Sequence, residues 1–179
     1  LPIKYDMLNG KPLKPYDFMT RAYNMFSPVS LSLTPSAGRT LLFNSGYDLR
    51  LSVLSSPDGD DLSDSPRLRS EFQKAIGETG LEAKLARLAK SPRIIASLEE
   101  MYRDINSGNR AMYETKDYYH NRIIDNLFQE ARRIAWAKVS QGNQELVKLK
   151  EEERKKRVLR QRKFESSANP SQDILNIYK

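Results

Sequence analysis

Four aspartates fall within seven positions around one glycine in the stretch SSPDGDDLSDSPR: Asp58, Asp60, Asp61 and Asp64 beside Gly59. Carboxylates this dense can hold a divalent cation, share a proton in acid–base work, or close a turn and complement a helix start. A helix-loop-helix calcium site needs oxygens at alternate positions, a central glycine and a bidentate Glu at the twelfth place. Counted from Asp58, the glycine is second and the spacing does not fit. The reading the residues favour is a proline-initiated β-turn over Ser56-Pro57-Asp58-Gly59, with Ser63 and Asp64 feeding the next helix N-terminus, where acids suit the helix dipole. His120 is the sole histidine and there is no cysteine. It therefore has no second soft ligand for a metal, and a packing or helix-surface role is favoured, with Asp117 as a candidate partner. No nucleophile elbow, phosphate-cradling glycine loop or HExxH helix occurs,. Paired acids such as Glu99 and Glu100 sit on an expected helix surface, where solvated charge is ordinary. The sequence thus predicts no catalytic residue, no metal site and no cofactor: a protein that is not an enzyme.

The charge that remains is concentrated. The chain of 179 residues carries +7 overall, with 39% apolar and 30% charged residues. Nine bases lie between Lys148 and Lys163, namely Lys148, Lys150, Arg154, Lys155, Lys156, Arg157, Arg160, Arg162 and Lys163, against Glu151, Glu152 and Glu153. That is nine minus three, or +6, leaving +1 for everything else. Three readings stand beside each other: a solvated helix paired at i,i+4, phosphate contact with nucleic acid, and docking against an acidic protein channel. Phe164 is the one aromatic nearby, so base stacking has little support.

The elements that must position these groups are mostly helices. Residues 1–16 carry Pro2, Pro12, Pro15 and Asn9-Gly10 and read as an extended leader,. Between 17 and 64 the pattern suggests a short helix from Tyr16 to Phe26, a brief one through Thr40–Phe43, and two alternating strips, VSLSL at 29–33 and LRLSV at 49–53, as strands or a small hairpin. Ser65-Pro66 and Ser91-Pro92 each read as a helix start, with serine as cap and proline in the first turn. The first helix carries Leu68, Phe72, Ala75 and Ile76 inward and stops near Gly77. A second, Leu81–Lys90, has Leu81, Leu85 and Leu88 on one face. The third reaches Ile105. Thr115 then opens a long amphipathic helix whose packing stripe is Ile124, Leu127, Phe128, Ala131, Ile134, Ala135, Trp136 and Val139. Gly142 interrupts it, Leu146, Val147 and Leu149 resume it, and a basic arm follows. Ile174, Leu175, Ile177 and Tyr178 form a candidate docking tag. The expected architecture is mostly α: leader 1–16, short helices and strips 17–64, helical domain 65–141, and arm and tail 142–179. No apolar run reaches the roughly 18 residues of a membrane span. The chain begins Leu1-Pro2 rather than with Met, which suggests a processed product or an ordered fragment.

The series LNGKPLKPYDFMTRAYNMFSPVSL (8–31), GRTLLFNSGYDLRLSVLSSPDGDDLSDSPRLRSEFQKAIG (38–77), LEAKLARLAK (81–90) and NRIIDNLFQEARRIAWAKV (121–139) resembles the C-terminal region of tail tape-measure proteins of long-tailed, siphovirus-like bacteriophages. Leu42 to Gly77 is its most specific block. The resemblance implies a helical virion protein in the tail lumen or tip, made in the host cytoplasm, taking part in tail assembly and DNA ejection. Its implied partners are tail tube and tail-tip or baseplate hub proteins, and the symmetry of tail tips implies a trimer. At about 1.5 Å per helical residue this chain is far too short to span a long tail, so it would be a terminal piece and not the ruler. The alternative from the residues alone is a nucleic-acid-binding module using 148–163.

Overall fold

The computed structural model describes residues 4–12, 36–47 and 53–167. The helix at 16–26, the strip at 29–33, positions 49–52 of the second strip and the tag at 174–178 lie outside them. Within the described residues the chain is helical: α1 (Ala37–Ser45), α2 (Pro66–Glu78), α3 (Leu81–Ala89), α4 (Pro92–Asn106), α5 (Arg110–Thr115), α6 (Tyr119–Ser140) and α7 (Gln144–Ser167). Among them the extended pairing amounts to two isolated antiparallel bridges, Tyr5 with Pro12 and Ser55 with Asp61. The mostly α class expected from periodicity is what the structure has. The chain divides into two compact units, Leu1–Gln141 and Gly142–Lys179, so the described leader and the corner around Gly59 belong to the same unit as α2–α6.

The first unit is built on one core. Leu68, Phe72, Ala75 and Ile76 of α2 are buried, as are Leu81 and Leu85 of α3, Ile94 of α4, and Ile124 and Phe128 of α6. Each large side chain so buried stabilises the fold by about 1.5–3 kcal/mol relative to exposure. Phe72 meets Trp136 edge to face at 5.2 Å, and Tyr47 stacks on Phe128 at 5.2 Å. α1 packs on α3, and Arg39 of α1 bonds Glu82 of α3 and Asp6 of the leader. The leader lies over α2 at Gly77, where an added Cβ would stand 2.0 Å from the Gly10 nitrogen. Only a residue without a side chain permits that approach.

Three local expectations are corrected. Neither Ser65 nor Ser91 caps its helix with a side-chain hydrogen bond. Both helices begin through proline and the serine carbonyls, which accept from Arg69 and Ile95 at 3.0 Å. Thr115 closes a helix and does not open one. The long helix starts at Tyr119 because Lys116 and Tyr118 are held out on α4: the Lys116 Nζ donates to Glu100 and Asp104, and the buried Tyr118 donates its hydroxyl to Asp104 at 2.7 Å. Acids do not occupy the first turn of α2; Asp61 instead accepts from the Ser63 amide and hydroxyl.

The second unit is α7. Gly142, at φ 65°, breaks the helical run in a left-handed conformation that other residues resist,. The Asn143 side chain then accepts from the amides of Glu145 and Leu146, starting α7 with a true cap,.

Candidate functional site: a clamped corner and a basic helix

The acidic stretch folds as a turn. The Gly59 amide donates to the Ser56 carbonyl at 3.0 Å, closing a β-turn over Ser56–Gly59,. The buried Ser56 hydroxyl accepts from the amides of Asp58 and Asp60 and donates to the Asp60 carboxylate. Leu62, fully buried, donates its amide back to Leu54 at 2.8 Å. α6 clamps the corner from one side. Trp136 donates its indole N–H to Asp58 at 3.1 Å, and Arg132 donates to the Ser55 carbonyl at 2.7 Å and to Gln129 at 2.7 Å. Asp58, Asp60 and Asp61 are thus acceptors in the fold's own scaffold. Among the described residues no group of three or more acids or histidines is placed to hold a metal ion.

On α6 the packing stripe is real but shifted. Ile124, Phe128, Ala131, Ala135 and Trp136 are buried, Leu127 and Val139 are half-buried, and Ile134 is 50% exposed. Ile134 therefore leaves the expected stripe. At 100° per residue it lies on the far flank from Trp136 and Val139, and Arg132 fills the core-side flank instead. Arg132 is 8% exposed, and among the described residues it makes no salt bridge; burial lowers its pKa, with Tyr47 and Asp125 opposing. Its Nε is buried without a hydrogen bond.

His120 is fully buried. Its Nδ1 is 2.8 Å from the Ser97 hydroxyl, which also accepts the His120 amide. The ring stacks on Tyr118 at 5.6 Å, and Nε2 has no partner. Desolvation pushes its pKa below the ordinary value, while Glu100 and the Ser97 contact pull the other way. Asp117 does not pair with it; it lies 3.9 Å from Arg122. A neutral, enclosed imidazole with no water-facing nitrogen and no second titratable group in bonding range is a packing residue. Nearby, Tyr118 is pushed up to about 12 by burial and by Asp104, and Asp104 is lowered by the Tyr118 hydroxyl and by Lys116.

An open depression of about 490 Å³ lies between Gly46, Tyr47, Asn121 and Asp125. The Tyr47 hydroxyl is already committed to Asp125 at 2.8 Å, and burial followed by that bond raises its pKa well above the ordinary tyrosine range.

α7 presents the opposite case. Lys148, Lys150, Arg154, Lys155, Lys156, Arg157, Arg160, Arg162 and Lys163 are all exposed. Two of the nine meet an acid: Lys155 pairs with Glu151 at 3.6 Å and Arg157 with Glu153 at 4.0 Å. Val147, Val158, Leu159 and Phe164 are exposed too; the two valines share a side while Leu159 and Phe164 fall elsewhere, so α7 has no single apolar face.

Sequence reasoning missed Arg132, Ser97 and Tyr47 as organising side chains. A helical wheel that kept polar residues would have found Arg132 between Phe128 and Trp136; Ser97 and Tyr47 gain their roles only from long-range packing. Compared with known protein families, curated proteins and solved structures, the chain matches none.

Proposed function

We propose that this chain is a non-enzymatic structural module of a long-tailed bacteriophage tail, the C-terminal part of a tape-measure protein, docking in the tail tube or tip during assembly and DNA ejection. One observation carries the reading beyond sequence resemblance. In the block of greatest resemblance, three of the four clustered aspartates and Tyr47 are engaged in shape: Asp58 with Trp136, Asp60 with Ser56, Asp61 with Ser63, and Tyr47 with Asp125. A motif whose polar residues bond one another and the underlying helix is built to hold a contour for a partner. Tail tube and tip or hub proteins are the proposed partners, the virion tail is the proposed location, and three copies match the symmetry of such tips.

Lysine cross-linking with mass spectrometry on purified particles of the encoding phage tests it. The expected result is peptides of this chain in the particle, with lysines of the first unit, such as Lys84 and Lys138, joined to tube or tip proteins. Particles free of the chain, or links confined to the capsid, would overturn the proposal.

A further inference from the structure

We propose that α7 is a duplex-DNA arm, binding phosphates without sequence preference from within the major groove; this does not depend on the chain belonging to a tail. Between Glu153 and Glu165 there is no acid, while Arg154, Lys155, Lys156, Arg157, Arg160, Arg162 and Lys163 supply seven positive charges in ten residues. At 1.5 Å per residue that is one charge in about 2 Å of helix axis, close to the one per 1.7 Å of duplex DNA. An ordinary solvated helix intersperses acids among its bases. Here the pairing stops at the start of the run, because both ion pairs reach back to Glu151 and Glu153. Like charges three or four apart repel, and this segment contains Arg154/Arg157, Arg157/Arg160, Lys156/Arg160 and Arg160/Lys163. A polyanion relieves that repulsion and gains entropy from the counterions released.

The arrangement around the axis selects the kind of polyanion. The seven bases leave no bare sector as wide as about a quarter-turn, and all are exposed. A flat acidic protein surface engages one side of a helix. The major groove, about 12 Å wide, takes a helix about 10–12 Å across and presents phosphates on both walls. Cations on opposite flanks then have partners at once. A-form RNA closes this route, because its major groove is too narrow. Phe164 is the single aromatic near the run, so single strands lack stacking platforms. Contact with the phosphate backbone carries no sequence information.

Fluorescence anisotropy of the full chain with a labelled 24-base-pair duplex of arbitrary sequence tests this. Binding at 50 mM salt should weaken linearly in log salt with a slope of about −4.5 to −6, for five to seven phosphates. Replacing Arg154→Gln, Arg157→Gln, Arg160→Gln and Lys163→Gln together should flatten that slope by about 3.6 and weaken binding at least about 100-fold. The same arginines changed to lysine should bind within a few-fold, and circular dichroism should show α7 intact in both. Arg87→Gln with Lys90→Gln, exposed bases of the first unit, should change nothing. The duplex should bind at least about 10-fold more tightly than a single strand of equal length or poly-glutamate of equal charge. Equal binding of poly-glutamate would overturn the proposal in favour of an acidic protein partner. Equal binding of the single strand would overturn the groove, and no binding at 50 mM salt would overturn the arm as a polyanion site altogether.

Discussion

The corner at 55–64, with four acids and no base, and the arm at 148–163, with nine bases against three acids, both concentrate charge of one sign, and they use it in opposite ways. In the corner, carboxylates are met by an indole, two hydroxyls and a backbone amide. In the arm all nine bases are exposed, and among the described residues two of them pair with an acid. A run of like residues therefore does not by itself announce a binding site. What separates scaffold from interaction surface is whether the fold supplies the complementary groups. A satisfied cluster rigidifies; an unsatisfied one at the surface is left for something outside the chain.

The sharpest way to break this contrast is to cut one aromatic from each region. Trp136→Ala removes the edge contact with Phe72 and the donor to Asp58, and should cost about 3–5 kcal/mol in urea unfolding. Phe164→Ala, at a side chain 72% exposed, should stay within about 0.5 kcal/mol. Equal costs would mean that the arm is as tightly built as the corner.

Glycines give the next contrast. At Gly77 a methyl group would meet backbone atoms of Gly10 and Asp6, which have no rotamer to yield, so Gly77→Ala should cost about 2–3 kcal/mol. Exchange of the Gly10 amide, bonded to the Asp6 carbonyl at 2.7 Å, should quicken as the leader lifts. Gly142 has nothing within 4 Å of its hypothetical Cβ. Gly142→Ala should cost about 1 kcal/mol, from its left-handed backbone alone.

Acid should act on the first unit through His120. Burial depresses its pKa in the fold, so the unfolded chain takes up the proton first, at the ordinary value near 6.5. Stability is then full above that value and is lost as pH falls below it toward the folded value. Ser97 and Glu100 of α4, with Tyr118, face the ring, and Glu100 only partly offsets the burial. The urea midpoint of the wild type should drop between pH 8 and pH 5.5, above the range where ordinary carboxylates titrate. His120→Gln should flatten that drop, and an unchanged slope in the variant would place the proton elsewhere.

These contrasts also mark what was legible in the sequence. Periodicity placed α2, α3 and α4 nearly to the residue, because Leu68/Phe72/Ile76 and Leu81/Leu85 repeat at spacings that only a helix puts on one face. The turn at Ser56–Gly59 was legible from its proline and glycine. Local reading failed where a distant side chain decided the outcome. Thr115 looked like the start of the long helix, but Lys116 and Tyr118 bond Glu100 and Asp104 and keep the backbone extended. Ile134 looked like core because it is apolar at the right spacing; it is half exposed, and Arg132 on the opposite flank is buried and reaches the Ser55 carbonyl. The arm's charge and its lack of acids beyond Glu153 were legible at once, since composition needs no fold; the structure adds that both ion pairs reach back to Glu151 and Glu153.

One substitution made in both regions should act with opposite sign. Arg132→Gln removes a buried donor to the Ser55 carbonyl and shortens a side chain packed in the core flank; it should destabilise the first unit by about 1–3 kcal/mol. Arg160→Gln removes three of the four like-charge neighbours named above, those with Lys156, Arg157 and Lys163. At about 0.2–0.5 kcal/mol for each pair, α7 should gain about 0.6–1.5 kcal/mol of local helix stability at low salt. The gain should appear as stronger ellipticity at 222 nm in 10 mM salt and fade at 1 M, where charges more than about 3 Å apart are screened. Urea unfolding of the first unit should be unmoved. If Arg160→Gln instead lowered helicity, the bases of α7 would be supporting one another through groups of this same chain, and the arm would be no more open to a partner than the corner is.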